Sequence, residues 1–320
     1  MAKKHHDHSA KRKSPLRILV ALRPNESGAE AIRFAAWLAR TTTIQVRVAT
    51  VFIRPWPSTS LSKLGGKYRK WYNREADACR EKVTAKLEDA GIAADQWDST
   101  VSIFLDGSSE TQLVTQAAAE FGADVILLGS HGAAQKGRFL PGSTADALLH
   151  SSPIPLGLTP RAVKLPKHGV TRIDCAFGDF EQDHSVISAA AELAYTWDLP
   201  LRIVALAPSG LATTGLDLES DLMHQWREQA LAVLDRARDT AVAEFEDLTV
   251  ETEIGAGTGW AGAMDAVKWK KGDLLFVGSS PMGPLERVFI GTETSAILEH
   301  SHVPVLIQPV QARAELSLAQ

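Results

Sequence analysis

The sequence has little cysteine, no surplus of basic residues and no long apolar run. Only Cys79 and Cys175 occur among 320 residues, too few for a disulfide framework or a cysteine-based zinc site. Asp and Glu (38) outnumber Lys and Arg (34), which argues against a dedicated nucleic-acid binder, because such proteins displace counterions with a cationic face. No stretch approaches the ~20 apolar residues that a membrane span needs. The opening MAKKHHDHSAKRKSP is basic but has no apolar centre of a secretory signal. These absences predict a cytoplasmic protein with neither a nucleic-acid partner nor a membrane span. Residues 1–14 bury nothing apolar and read as a disordered basic, histidine-bearing tail. His5, His6 and His8 fall within that tail, and no metal site is assigned to them. No Ser/His/Asp or Cys/His arrangement is suggested by position, so no catalytic residue is assigned. Asp106 and Asp179 are the carboxylates that a search for one would mutate.

What is present is present twice. RILVAL (17–22) reads as a buried strand, and Ile32, Ala35, Ala36 and Ala39 after it fall on one face of a helix. RIDCAF (172–177) is followed by Ile187, Ala190, Ala191 and Ala194 at the same spacings, each 155 residues further on. ADVILLGSHG (123–132) likewise matches GDLLFVGSSP (272–281), and FLPGSTADALL (139–149) matches VFIGTETSAIL (288–298), both at an offset of 149. An internal repeat of this length is a duplicated domain. The expected boundaries are a first domain over 15–161, a Pro- and Gly-bearing linker over 162–171, a second domain over 172–311 and a tail over 312–320. Strands are expected near 17–22, 44–52, 100–105, 124–129 and 154–158, then near 172–177, 200–207, 248–254, 273–278 and 303–308. Continuous apolar runs such as DVILLG and DLLFVG suit strands covered on both faces. Strands alternating with helices predict an α/β fold of two tandem doubly wound parallel sheets, whose ligands bind beyond the carboxyl ends of the strands.

Three glycine motifs compete for that role. GAAQKGRF (132–139) imitates a Walker A loop but has Arg138 where the phosphate lysine belongs and Phe139 where the magnesium hydroxyl belongs. GTGWAG (257–262) fits G-x-G-x-x-G, yet the next strand ends FVGSS without the carboxylate that would hold a ribose; a flexible turn before a helix explains it. The third is Gly129-x2-Gly132-x9-Gly142-Ser143. There Gly129 ends a buried strand, Gly132 can take a positive φ, and Gly142, Ser143 and Thr144 open a helix whose N–H groups favour an anion. The two hydroxyls could instead cap that helix. Lys136 and Arg138 are expected to add positive charge nearby.

Gly-x2-Gly-x9-Gly-Ser after a fourth strand resembles the ATP-binding signature of the universal stress protein family (UspA-type), and both copies are similar to that family over nearly their whole length. The resemblance implies a Rossmann-like, adenine nucleotide alpha hydrolase-like sheet in the order 3-2-1-4-5. It also implies internal pairing of the two copies through their last strands, IPLGL and VPVLI, with further homodimerisation left open. It implies ATP, with or without Mg2+, held in the first copy by Ala21, Arg23, Val51, Leu128, Gly129, Gly132, Gly142, Ser143 and Thr144. The second copy keeps Gly178, Leu206, Val277, Gly278, Gly291 and Thr292 at the matching positions. There, however, Pro281 replaces the second glycine and removes an N–H, and Glu293 stands opposite Thr144; this is a degenerate site. In the first copy Arg23 stands where nucleotide binders of the family carry an acid. It could pair with phosphate or fill the pocket. The expectation is an ATP-binding stress-response regulator that at most hydrolyses ATP slowly. The alternative is a nucleotide-free interaction scaffold impaired by Arg23, Pro281 and Glu293.

Overall fold

The computed structural model describes residues 14–23, 29–54, 65–177, 184–209, 218–279 and 292–309. Within these the chain forms β1 (Leu16–Leu22), α1 (Ala29–Leu38), β2 (Ile44–Ile53), α2 (Gly66–Asp89), β3 (Trp97–Gly107), α3 (Glu110–Phe121), β4 (Val125–Gly129), α4 (Ser143–Leu149) and β5 (Leu156–Thr159). The second half repeats the order with β6 (Arg172–Phe177), α5 (His184–Thr196), β7 (Leu201–Ser209), α6 (Leu218–Glu244), β8 (Val250–Thr258), α7 (Gly259–Ala266), β9 (Asp273–Gly278), α8 (Thr292–His300) and β10 (Val305–Gln308). All ten expected strands are found. Two are longer than their apolar runs: β3 begins at Trp97, and β8 continues to Thr258.

The strands make one ten-stranded sheet in the order β3-β2-β1-β4-β5-β10-β9-β6-β7-β8. Each half is therefore 3-2-1-4-5, with parallel neighbours throughout. The halves join where β5 meets β10 antiparallel, with Leu306 opposite Gly157. Gly157 is dictated by packing at that seam, since a Cβ there would lie 2.2 Å from Leu127 Cδ2 and 3.0 Å from the Phe34 ring.

Side-chain alternation along the strands builds two cores. Ile18, Val20 and Leu22 of β1 point to the face covered by α1, α2, α5 and α6, and Leu19 points to the face covered by α3, α4, α7 and α8. Burying both faces of every central strand is what the unbroken apolar runs require. One departure is confined to the second half. Asp174, which occupies the place of Leu19, is fully buried with Asp273, Arg202 and Arg172. Arg202 Nε donates to Asp174 Oδ1 at 2.6 Å, Arg172 Nη2 donates to Asp273 Oδ2 at 2.6 Å, and Arg202 also bonds Glu253. Burial, together with the neighbouring Asp273 carboxylate, pushes the Asp174 carboxyl up to about 7.

The GTGWAG stretch is not a flexible turn. Its first two residues lie in β8, α7 starts at Gly259 with φ 62°, and a Cβ on Gly257 would lie 2.3 Å from the Gly262 carbonyl carbon. These glycines let a strand and the following helix touch backbone to backbone.

Candidate functional site

In the first half the strand order reverses between β1 and β4, and a cleft of about 410 Å³ opens at their carboxyl ends. This is where an open α/β sheet takes its ligands. Ala21, Arg23, Leu128, Gly129, Gly132, Gly142 and Thr144 line it, so seven of the nine expected residues converge. Ser143 reaches the same place through its hydroxyl, which accepts from Arg23 Nη2. Val51 does not line the cleft, because its side chain is buried in the core beneath β2.

Arg23 is the central group. Its Nη2 donates to Thr144 Oγ1 at 3.0 Å and to the Ser143 hydroxyl, while Nε and Nη2 grip the Glu110 carboxylate at 3.1, 3.2 and 2.8 Å. Glu110 is in the first turn of α3, where a carboxylate complements the helix dipole. Ser109 caps that helix by accepting from the Gln112 N–H, and Gly122 closes it with φ 64°. The two hydroxyls therefore do not cap α4. Its N-cap is Gly142, which makes no side-chain cap bond. With only seven residues, α4 also has a weak dipole, so positive charge beside its two hydroxyls comes from the Arg23 guanidinium.

The signature glycines differ from those that packing dictates, Gly157, Gly255, Gly257 and Gly272. Gly132 does not adopt a positive φ; the left-handed residue of this loop is Gly137, at φ 77°. A Cβ on Gly132 would meet nothing within 4 Å, on Gly142 only His131 Cδ2 at 3.8 Å, and on Gly129 only Glu30 Cβ at 3.6 Å and Ala31 N at 3.8 Å. The fold itself thus asks for glycine at none of the three.

The loop from Ser130 to Leu140 is held by its own backbone. Leu140 N–H donates to Ser130 Oγ at 2.9 Å, His131 N–H donates to the Leu140 carbonyl at 2.8 Å, and the Phe139 side chain is buried beneath. Arg161, just past β5, ties the loop from outside, with Nη1 donating to the Ala134 carbonyl at 2.6 Å. The expected contribution of Arg138 to the cleft is corrected by the structure. Its guanidinium crosses to the second half, where Nη1 donates to the His300 carbonyl at 2.6 Å. Lys136 is exposed. Asp106 is likewise absent from the lining, being hydrogen-bonded by the Tyr68 hydroxyl and ion-paired with Arg54.

Sequence reasoning missed Glu30, Glu110, Ser130 and Arg161, which also line the cleft. Ser130 fills an unspecified position between Gly129 and Gly132, and the other three lie outside the glycine motif. Only the rule that chemistry gathers at strand and helix ends beside a switch point could have singled out Glu110. In the second half Leu206 is in β7, and Val277 and Gly278 end β9. Asp179, Gly178, Pro281 and Gly291 lie outside the described residues, as do the side chains of Thr292 and Glu293. Among the described residues no helix is long and apolar enough to cross a membrane.

Comparisons with known proteins agree with this architecture. The sequence profile described as the Universal stress protein family matches residues 16–160 and again 170–309. Universal stress proteins of Mycobacterium bovis and Mycobacterium tuberculosis are each 31% identical to this chain over 296 residues, covering 91% of it and 99% of the relative. The crystal structure of a universal stress protein from Archaeoglobus fulgidus shares the fold at a TM-score of 0.60 and 18% identity, covering 91% of this chain and 97% of that one. Two profile matches, relatives similar over nearly their full length and a duplicated 3-2-1-4-5 sheet lead to one assignment: the chain belongs to the universal stress protein family and carries two of its domains in tandem.

Proposed function

We propose that the protein is an ATP-binding stress-response regulator of the cytoplasm, with its nucleotide site in the first-half cleft and no dedicated catalytic group. The observation that carries this reading is the glycine contrast. Gly157, Gly255 and Gly257 are glycines because a Cβ would strike a neighbour at 2.2–2.4 Å, whereas at Gly129, Gly132 and Gly142 it would meet nothing closer than 3.6 Å. Glycines that neither turn nor packing demands, gathered on one cleft, suit a ligand that must approach the backbone closely. The cleft lies within the size range of small-molecule sites, and Arg23 supplies a guanidinium suited to phosphate. Native mass spectrometry of freshly purified protein tests it by showing bound adenine nucleotide. A thermal shift tests it further: ATP at about 100 times Kd stabilises by ~2.7 kcal/mol. Gly142→Asp, which puts a carboxylate among the phosphates, removes both signals. Protein that carries no nucleotide and shows no shift with ATP defeats the proposal.

A second reading, the nucleotide-free scaffold, is favoured by one observation. The Ser143 and Thr144 hydroxyls already accept from Arg23, whose charge Glu110 already balances. On that reading Gly142→Asp leaves every measurable partner interaction intact.

A further inference from the structure

We propose that the outward face of α2 docks a second copy of this chain, with the two helices antiparallel about a two-fold axis. The surface is separate from the first-half cleft, which no residue of α2 lines. α2 packs over the edge strand β3 and beside α1, and it buries Cys79, Val83 and Leu87. On its opposite side Lys67, Lys70, Arg74, Asp77, Glu81, Thr84 and Glu88 follow in steps of three and four. Such steps stay on one face of a helix, and the six charged residues are all exposed. The stripe divides in the middle: every charge up to Arg74 is positive, and every charge from Asp77 onward is negative.

That order is unfavourable for a helix standing alone. The macrodipole favours acids in the first turn and bases in the last, yet the first turn of α2 holds no acid and Gly65 makes no side-chain cap. The base in its last turn, Lys86, belongs to the flank near Glu30 of α1 rather than to the stripe. Neighbours in the chain do little to compensate. Among the described residues Lys67, Lys70, Glu81 and Glu88 have no ion-pair partner, and Arg74 and Asp77 make only exposed pairs with Glu75 and Arg80, at 3.2 and 3.4 Å. An antiparallel copy reverses these costs. With the axis between Asp77 and Ala78, Lys67 falls opposite the partner's Glu88 and Arg74 opposite the partner's Glu81, and symmetry repeats both pairs. A two-fold contact needs a self-complementary patch of this kind, and the two macrodipoles then oppose each other. The exposed face of α6, the counterpart in the second half, mixes Arg227, Glu228, Asp235, Arg236, Arg238 and Asp239 without such a division.

Exposed ion pairs contribute little singly, so the expected dimer is weak, with Kd on the order of 0.1–1 mM. It should loosen about tenfold when salt rises from about 50 to about 500 mM. Sedimentation equilibrium of the full chain at both salt concentrations reads the association. Lys67→Glu/Lys70→Glu/Arg74→Glu makes the stripe all acidic, and Asp77→Lys/Glu81→Lys/Glu88→Lys makes it all basic. Circular dichroism and a melting curve check that both are folded. Each triple variant alone should be monomeric, and an equimolar mixture of the two should dimerise at least as tightly as wild type. All six changes in one chain invert the stripe, suit the helix dipole better and should restore the homodimer. A wild type that stays monomeric at low salt overturns the proposal, whether the face is merely solvated or meets a different macromolecule. Association that both triple variants preserve also overturns it, because the contact then lies elsewhere. Folded triple variants that fail to combine do the same. Where a triple variant does not fold, the six-fold variant decides, and its failure to dimerise defeats the proposal.

Discussion

Arg138, in the glycine-bearing loop of the first half, donates to the main-chain carbonyl of His300 in the second half, 162 residues away. The same guanidinium lies 3.3 Å from His302 Nε2, which is 2.7 Å from Asp265 Oδ1. The hydrogen bond from His302 holds the Asp265 carboxyl below the usual carboxylate range. The contact follows from topology. Because β10 runs antiparallel to β5, the turn entering β10 lies beside the loop leaving β4. The His302–Asp265 pair is exposed and contributes little by itself, so the carbonyl bond is the substantive link. Arg138→Ala is expected to lower stability by about 1 kcal/mol and to speed amide exchange in Leu156–Thr159 and Val305–Gln308. Unchanged exchange in both strands would refute the link.

Glycines of two kinds should respond differently to alanine. Gly157→Ala forces its Cβ against Leu127 and Phe34, both fully buried, and is expected to cost about 1–3 kcal/mol by overpacking. Gly132→Ala meets no neighbour and needs no special backbone, so its unfolding free energy should stay within about 0.5 kcal/mol of wild type. ATP affinity should fall all the same. Urea denaturation of both variants, with ATP titration of the second, separates these outcomes; a destabilised Gly132→Ala would contradict the contrast.

The buried cluster of the second half gives a pH signature. The folded Asp174 carboxyl sits at about 7, against about 3.9 for an unfolded aspartate. Between those values the folded chain keeps a proton that the unfolded chain has lost. Stability contributed by this group is therefore full below about pH 4, declines as pH rises towards 7 and is level above. Arg172, Arg202, Asp273, Glu251 and Glu253 face the cluster and have charges of their own. The test is accordingly the difference between wild type and Asp174→Asn in denaturation from pH 4 to 8. The variant should lack a downward slope amounting to about 1–4 kcal/mol, and parallel profiles would disprove the assignment.

Tyr68 offers a spectroscopic check on the first half. Burial first, and its hydrogen bond to Asp106 second, push its phenol up to about 12. Asp106→Asn should bring the Tyr68 titration, followed by ultraviolet absorbance against a Tyr68→Phe control, back towards 10 while burial keeps it above. An unmoved titration would mean that Asp106 is not the partner.

The elements legible in the sequence were those with a local or periodic cause. Buried parallel strands announce themselves as apolar runs, and the repeat of Ile18 and Ile32 in Ile173 and Ile187 reveals the duplication before any coordinates are known. The seam was expected only because the family resemblance implies pairing through the last strands. Contacts that depend on where distant helices end were not. Glu110 meets Arg23 across 87 residues because α3 begins beside the end of β1, and no spacing rule encodes that approach. Arg138 misled for the opposite reason: its position in the loop suggested the cleft, but a long side chain takes its direction from the partner that the seam brings near. GTGWAG was read as a flexible turn because close strand–helix packing and flexible turns both favour glycine.

The antiparallel seam has a consequence for how two copies in one chain can diverge. A homodimer with a two-fold axis must build every device twice, so neither protomer can specialise. Here the places corresponding to His302 and Asp265 are held by Pro153 and Gln116, and the place corresponding to Asp174 by Leu19. Covalent fusion has made the axis approximate. Either crevice can therefore change its lining without forcing the same change on the other.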